Sequence, residues 1–529
     1  MTSHRLDSRR WRRNKPDVDI LTIDLGTSGP KVALVSEDCD LVTSATRSVQ
    51  THLLPSDGAE QDPNQIWAAV LSAAKQVLHE AGKRRSAVAG IACASQYFSI
   101  VPVDRQVHPV MNLILWMDKR GAAQSQKLYE RHPETFEAWL DIHGMIPLPT
   151  GNDSLSHMLY VQEECPEVHA RTYKYLEPMD FIIAKLTGEC TANVCTAFPL
   201  LLTDNRDLSL CTYDSRLIDL SGIDATKLPP LRPLNSRTGT LRAEVAAELG
   251  LPPTTPVFSG MNDTQAAAIG TATFQGTHGA INIGTTSQVL AHVGSKKTDL
   301  AHAILSMPSP IAGRYMVMAE NGLGGKPLDH FLRNIAFATD ALADHAGAEL
   351  FANVDQASQT VPPGSDGLLF LPWLTGTQAP ESHAPSRGGF LNLSLLTTRA
   401  HMVRAILEGV AFNMRWVLPA VEEFVEQRFD ELLFSGGGAM SDMWSQIMAD
   451  VIDRPVAQLA DSRYVNNRGT AFVALVELGA LRLTDIDKLC RIKRRYAPRR
   501  EHRELYDKLF TQFVAAFEQN RPIFEALNG

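Results

Sequence analysis

Residues 22–35 read TIDLGTSGPKVALV, and residues 280–293 read AINIGTTSQVLAHV. Each is an apolar run, a Gly-Thr turn followed by Ser or Thr, and a second apolar run. This is the pattern of two strands meeting in a tight turn. Such a turn gathers several backbone N–H groups into one concavity, and a nest of this kind binds phosphate oxygens. Gly26 and Gly284 allow a ligand to approach bare backbone. The hydroxyls of Thr27, Ser28, Thr285 and Thr286 add donors, and Lys31 can bring a cation to a phosphate. Asp24 sits where a phosphate should repel it, and a Mg2+ bound between the two would reverse that cost. Pro30 is out of place in the nest because it removes one N–H. One such turn is common among hairpins, but two of them in separate halves can clamp a polyphosphate. The second is not a copy: Asn282 and Val289 stand where Asp24 and Lys31 stand in the first.

The rest of the chain fits around these hairpins. At 529 residues it is too long for one core, so two large domains are expected. Short apolar runs at Ile20–Leu25, Lys31–Val35, Val88–Ala94, Val257–Gly260, Gly279–Ile283, Gln288–Val293, Tyr315–Ala319, Gly367–Leu371 and Glu431–Phe434 read as strands. Helical periodicity appears at Ile66–Ala81, at His401–Val417 and, closing the chain, at Arg503–Phe517. Alternation of the two means an α/β fold. LPPLRP (Leu228–Pro233) and LPPTTP (Leu251–Pro256) read as loops. A net charge of −9 argues against a nucleic-acid partner, which wants a clustered basic face. No stretch approaches the 18 apolar residues a membrane helix needs. Seven cysteines without a CxxC pair read as small buried hydrophobes in a reduced, cytoplasmic setting. The Arg-rich N-terminus reads as a basic tail, because the apolar segment after it carries Asp19 and Asp24.

A third glycine cluster, SGGGAMSDMW (Ser435–Trp444), follows the apolar ELLF and precedes a helix. It is neither a Walker loop nor a dinucleotide fingerprint, since no Gly-Lys-Ser/Thr follows and the glycines are consecutive. Bare backbone at a strand-to-helix turn suits a flat ring such as a nucleotide base, and equally suits a plain packing turn.

Taken in order, these motifs resemble the actin-like ATPase superfamily and, within it, the FGGY carbohydrate kinases, over about residues 18–480. DLGTSGPK and GTTSQV are similar to the two phosphate motifs. SGMNDTQAAAIGTA (Ser259–Ala272) is similar to the catalytic segment, and FLPWLTGTQAP with Arg387–Phe412 to the C-terminal signature. The resemblance implies two actin-like (ribonuclease H-like) α/β domains with a cleft between them. Their expected limits are 18–268 and 269–485, after a basic tail at 1–17 and before a helical extension at 486–529. It implies ATP and Mg2+ as cofactors, with Asp263 as general base and Asp24 and Asp263 on the metal side. By residue type alone, Asn262 or Asp263 would simply cap the following helix, and the helix N-terminus would favour Asp263 as the anion. The resemblance further places Gly437 and Gly438 near adenine and ribose, and Asn321, Gly325 and Asp442 at the nucleotide, with packing as the alternative for each.

The sugar side implied by the family is ASQYFS (Gln96, Tyr97, Phe98) and LWMDKR (Trp116, Asp118, with Arg120 orienting Asp118), together with Asp263 and Thr264. Without the family, Trp116 reads as core and Asp118–Arg120 as a solvated pair. Here the chain departs from xylulokinases. Tyr97-Phe98 replaces Met-His, His157 and Tyr160 stand for Lys and Trp, and Asn392 stands for Gly. Thr191–Asp204 replaces an Asp- and Ser-rich stretch. The expected activity is ATP-dependent phosphorylation of a sugar hydroxyl, a pentulose such as xylulose first. The alternatives are another ketose or polyol, or a sensor that binds sugar and nucleotide without transfer. Partners beyond a small sugar are not expected, and a homodimer is left open.

Overall fold

The computed structural model describes residues 17–274, 278–337, 353–486 and 490–529. Apart from Asp17, the basic tail lies outside the described residues. In the first half the ordering elements are β1 (Asp19–Gly26), β2 (Gly29–Ser36), β3 (Leu41–Thr46), α1 (Pro63–Glu80), β4 (Val88–Ser95), β5 (Arg237–Thr240), β6 (Pro256–Phe258) and α2 (Asp263–Gly270). They form a sheet in the order β5-β6-β4-β1-β2-β3. The β1–β2–β3 meander is antiparallel, whereas β4 runs parallel to β1. β1 is buried along nearly its whole length, which is why it reads as a continuous apolar run rather than an alternating one.

The second half repeats this plan. Its elements are β7 (Gly279–Ile283), β8 (Thr286–Val293), β9 (Ile304–Pro308), β10 (Tyr315–Leu323), α3 (Arg399–Phe424), β11 (Leu432–Ser435), α4 (Asp442–Ile452), β12 (Val456–Leu459), α5 (Val465–Glu477), β13 (Ile492–Tyr496) and α6 (Arg503–Asn528). The sheet order is β9-β10-β8-β7-β11-β12-β13, with Thr298–Asp299 at the β9 edge. β7 and β8 are again an antiparallel hairpin, and β11 runs parallel to β7. The two quoted stretches are therefore the equivalent hairpins of two related sheets, and each turn lies where a parallel strand leaves for a helix.

Four sequence expectations change. β10 was expected to stop at Ala319 but runs to Leu323, carrying Glu320 and Asn321 into the strand. The limit at 268/269 falls inside α2. The segment after 485 is not only helical, because β13 closes the second sheet beside β12. α6 also continues past Phe517 to Asn528, burying Tyr506, Phe513 and Phe517.

The halves share a core. Leu290, Met307 and Met316 from the second sheet lie in the hydrophobic cluster of the first domain. α5 crosses α2 with backbones nearly touching: a Cβ on Gly469 would clash with the carbonyl of Ala266, and one on Gly270 with that of Val465. α5 also reaches the first sheet, where Asn467 Nδ2 donates to Thr22 Oγ1 and to the Lys31 carbonyl, both at 3.1 Å.

His143 is wholly buried in the first domain. Its Nε2 lies 3.0 Å from the Phe198 carbonyl and its Nδ1 3.3 Å from the Met145 N–H, an arrangement that the neutral ring satisfies. Burial pushes its pKa down to about 3. Between pH 6.5 and 3 the unfolded chain therefore binds a proton that the folded chain does not. Stability should be complete above pH 6.5 and fall below it by about 1.4 kcal/mol per pH unit from this residue. Urea unfolding at pH 7.5 and 5.5 should show this slope, reduced in His143→Gln. An unchanged slope in that variant would contradict the assignment.

Candidate phosphoryl-transfer site

The first turn is built from β1 and β2. Asp24 is 1% exposed, and its carboxylate pairs with Lys31 Nζ at 2.5 Å. The pairing follows from register, because Asp24 and Lys31 are direct cross-strand partners. Asn466, at the start of α5, donates to both Asp24 oxygens at 3.3 Å from the other domain. A Cβ on Gly26 would find only the Gly29 carbonyl at 3.9 Å, so the space in front of Gly26 is open. Ser28 is exposed beside it. The glycine this turn requires is Gly29, with φ +127° and its back against Arg47. Pro30 proves harmless. Its carbonyl accepts from Arg47 N at 3.1 Å, so its polar edge faces β3, and the missing N–H is on that side rather than in the cleft.

Thr27 is not free for a ligand. Its hydroxyl donates to Gln96 Oε1 at 2.6 Å and accepts from Trp116 Nε1 at 3.1 Å. Gln61, which sequence reasoning missed, donates to the Thr27 carbonyl at 2.7 Å and accepts from Gln96 Nε2 at 3.4 Å. Thr27 thus ties the phosphate turn to both sugar-side loops. Asp118 faces inward: wholly buried, it accepts from Ala59 N at 2.7 Å and pairs with Arg120 at 2.7 Å. Arg120 continues to Glu60 at 2.7 Å. Asp118 is therefore not the solvated pair that its residue type alone suggests; it holds its loop. Tyr97 and Phe98 pack with ring centroids 4.9 Å apart. Phe98 has φ +57°, a strained choice for a bulky residue that turns its loop sharply. The Tyr97 hydroxyl donates across the cleft to Met318 Sδ at 3.8 Å.

The second turn is open. Gly284 and Thr285 are exposed, and a Cβ on Gly284 would meet nothing within 4 Å. It is braced from behind: Gly325 N donates to the Gly284 carbonyl at 2.8 Å, and Gly324 N to the Thr285 carbonyl at 3.0 Å. Gly325, itself half-buried, therefore supports the turn from behind. Thr286 is half-buried at the start of β8. Asn321 is buried, donating to the Ala379 carbonyl at 2.7 Å while its own carbonyl accepts from Asn413 Nδ2 at 2.7 Å. In the glycine cluster Gly438 packs on Ile283 and Trp444, whereas Gly437 is exposed. Gly436 has φ +84° and backs onto the Ile283 carbonyl, so the cluster leans directly on the second turn. Asp442 is paired with Lys493 at 2.6 Å and accepts from Gln458 Nε2 at 3.0 Å.

Asp263 opens α2 but does not cap it. Asn262 does, in a capping box: Gln265 N donates to Asn262 Oδ1 at 2.7 Å, and Asn262 N to Gln265 Oε1 at 2.9 Å. The Asp263 carboxylate is left half-buried in the cleft, with Thr264 Oγ1 at 3.4 Å. The helix terminus was expected to favour its anion. Instead its pKa is pushed up to about 7, first by burial and then by Asp24, with Lys31 and the Thr264 N–H pulling the other way. Two hard carboxylates close enough to repel, one of them paired with the Lys31 ammonium, fit a divalent cation that keeps water and phosphate oxygens as its remaining ligands.

Two open Gly-Thr turns on equivalent hairpins and a half-buried acid at a helix start suit a phosphotransferase of the actin-like kind. The N-terminal domain of the FGGY family of carbohydrate kinases matches residues 20–270, and its C-terminal domain matches residues 279–477. The chain belongs to this family, whose members are phosphotransferases with an alcohol acceptor. It is 25% identical to a gluconokinase of Bacillus licheniformis over 499 residues, covering 94% of each chain. It is 29% identical to a xylulose kinase of Lactococcus lactis over 440 residues, covering 83% of this chain and 84% of that one. In fold it is similar to a gluconate kinase of Lactobacillus acidophilus, with TM-score 0.81, 22% identity and coverage of 97% and 100%.

The Thr27 hydroxyl is the knot of the first turn. Thr27→Val removes two hydrogen bonds and leaves the Gln96 and Trp116 partners unsatisfied, so urea unfolding should show a loss of about 2 kcal/mol. Ser28→Ala, at an exposed hydroxyl, should stay within about 0.5 kcal/mol of wild type. Equal effects would contradict this network.

Proposed function

We propose that this chain transfers the γ-phosphoryl group of ATP to a hydroxyl of a ketose, a pentulose first, with Asp263 as general base. The observation that carries the reading is Asp263 itself: a half-buried carboxylate, freed from capping by Asn262, beside the Asp24–Lys31 pair. A base with pKa near 7 is matched to proton transfer at neutral pH. The relatives named for xylulose and gluconate support a sugar acceptor.

Lys31 would hold phosphate oxygens, Asp24 and Asp263 would hold Mg2+, and the Gly26–Ser28 and Gly284–Thr286 turns would face the phosphates from the two domains. Bound Mg2+ supplies positive charge that offsets repulsion between the phosphates and Asp24. The exposed Gly437 suits the nucleoside end. Trp116 and Gln96, fixed on Thr27, set one wall of the sugar site, and Tyr97 sets its roof against Met318. Asp263 orients the acceptor hydroxyl and takes its proton as the new P–O bond forms and the bond from the γ-phosphorus to the departing ADP oxygen breaks. Closure about the α2–α5 crossing would keep water from the γ-phosphate.

Asp263→Asn should lower kcat by about 10²- to 10⁴-fold while ATP binding by calorimetry stays near wild type. Turnover near wild type would remove Asp263 from the reaction. ADP release from the wild-type protein by no sugar of a broad panel would favour the sensor reading instead.

A further inference from the structure

One carboxylate on the second domain's side of the cleft is absent from the assignments above. Glu320 lies in β10, opposite Gln288 of β8 in antiparallel register, so the two side chains share a face. That face is the wall the second sheet presents to the first domain, since Leu290, Met307 and Met316 on it are in the shared core. Met318, two positions earlier on the same face, receives the Tyr97 hydroxyl at 3.8 Å. Gln288 Nε2 donates to Thr264 Oγ1 at 3.3 Å, beside Asp263. Glu320 is thus bracketed by the contact to the sugar-side aromatic loop and the contact to the start of α2.

Charge around the acceptor end is one-sided. The Thr286 side chain hydrogen-bonds Glu320, and among the described residues no Lys or Arg pairs with it. Lys31 is engaged by Asp24, and Arg120 by Asp118 and Glu60. We propose that Glu320 is a specificity residue that accepts a hydrogen bond from an acceptor hydroxyl and rejects acceptors carrying a carboxylate, so that the chain phosphorylates a neutral polyhydroxylated sugar and not an aldonate. This rests on the sugar-kinase reading above. An acceptor carboxylate would thus meet the Glu320 carboxylate with no Lys or Arg paired there among the described residues. Specificity of this kind is built as much by the repulsive element as by the attractive one.

The test is kcat/KM by coupled ADP release on the full chain, with D-xylulose, D-ribulose and D-gluconate as acceptors. The wild type should prefer the better pentulose over gluconate by about a hundredfold or more. Glu320→Gln, which keeps shape and removes charge, should narrow that ratio about tenfold or more through the KM for gluconate, with the KM for ATP unchanged. Glu320→Asp, which keeps charge, should retain the preference. Gluconate as the best wild-type acceptor, or an unchanged ratio in a folded Glu320→Gln, would overturn the inference while leaving the kinase reading intact. ADP release with none of these acceptors, nor with any sugar of the broader panel, would overturn the kinase reading and this inference with it.

Discussion

The structure depends on one close crossing. α2 and α5 approach so tightly that only glycine fits at 270 and 469. Both helices begin at the cleft, α2 with Asp263 and α5 with Asn466 one residue in. Fixing the crossing therefore fixes the acid relative to Asp24, because Asn466 holds Asp24 from one side and β1–β2 register places Lys31 on the other. Asn467 pins the same helix to Thr22 and Lys31. The two domains thus meet through backbone contact and amide hydrogen bonds beside their shared hydrophobic core.

Electrostatics at Asp263 shows which effect wins. A helix N-terminus is worth roughly 0.3–1 kcal/mol to an anion, less than one pKa unit. Burial of a carboxylate shifts its pKa by up to several units. Hence the acid titrates near 7 despite heading a helix. The same competition acts on Glu320, where burial outweighs the Thr286 hydroxyl.

Much of this was legible in the sequence because it is local. The duplicated Gly-Thr hairpins and Asp263 just after a short strand are each encoded within a short local stretch. The contributions of Gln61, Asn466 and Glu320 were not legible. Each acts on a residue far away in the chain, and Glu320 also needed β10 to extend past Ala319. Thr27 was read as a phosphate donor, yet its hydroxyl is engaged by Gln96 and Trp116; residue type alone does not show which partner a hydroxyl has. Asp118 likewise looks like half of a solvated pair until its burial with Arg120 is seen. Pro30 looked costly only because the side of the strand its nitrogen faces is a matter of pairing.

The central claim is that the two hairpin turns are opposing jaws on one polyphosphate, with Asp263 beside the transferred group. A crystal structure with ADP, Mg2+ and an acceptor sugar tests it most directly. The account predicts phosphate oxygens on the backbone of Gly26–Ser28 and Gly284–Thr286 and an acceptor hydroxyl within hydrogen-bond reach of Asp263. Phosphates bound away from either turn, or an acceptor hydroxyl remote from Asp263, would contradict it.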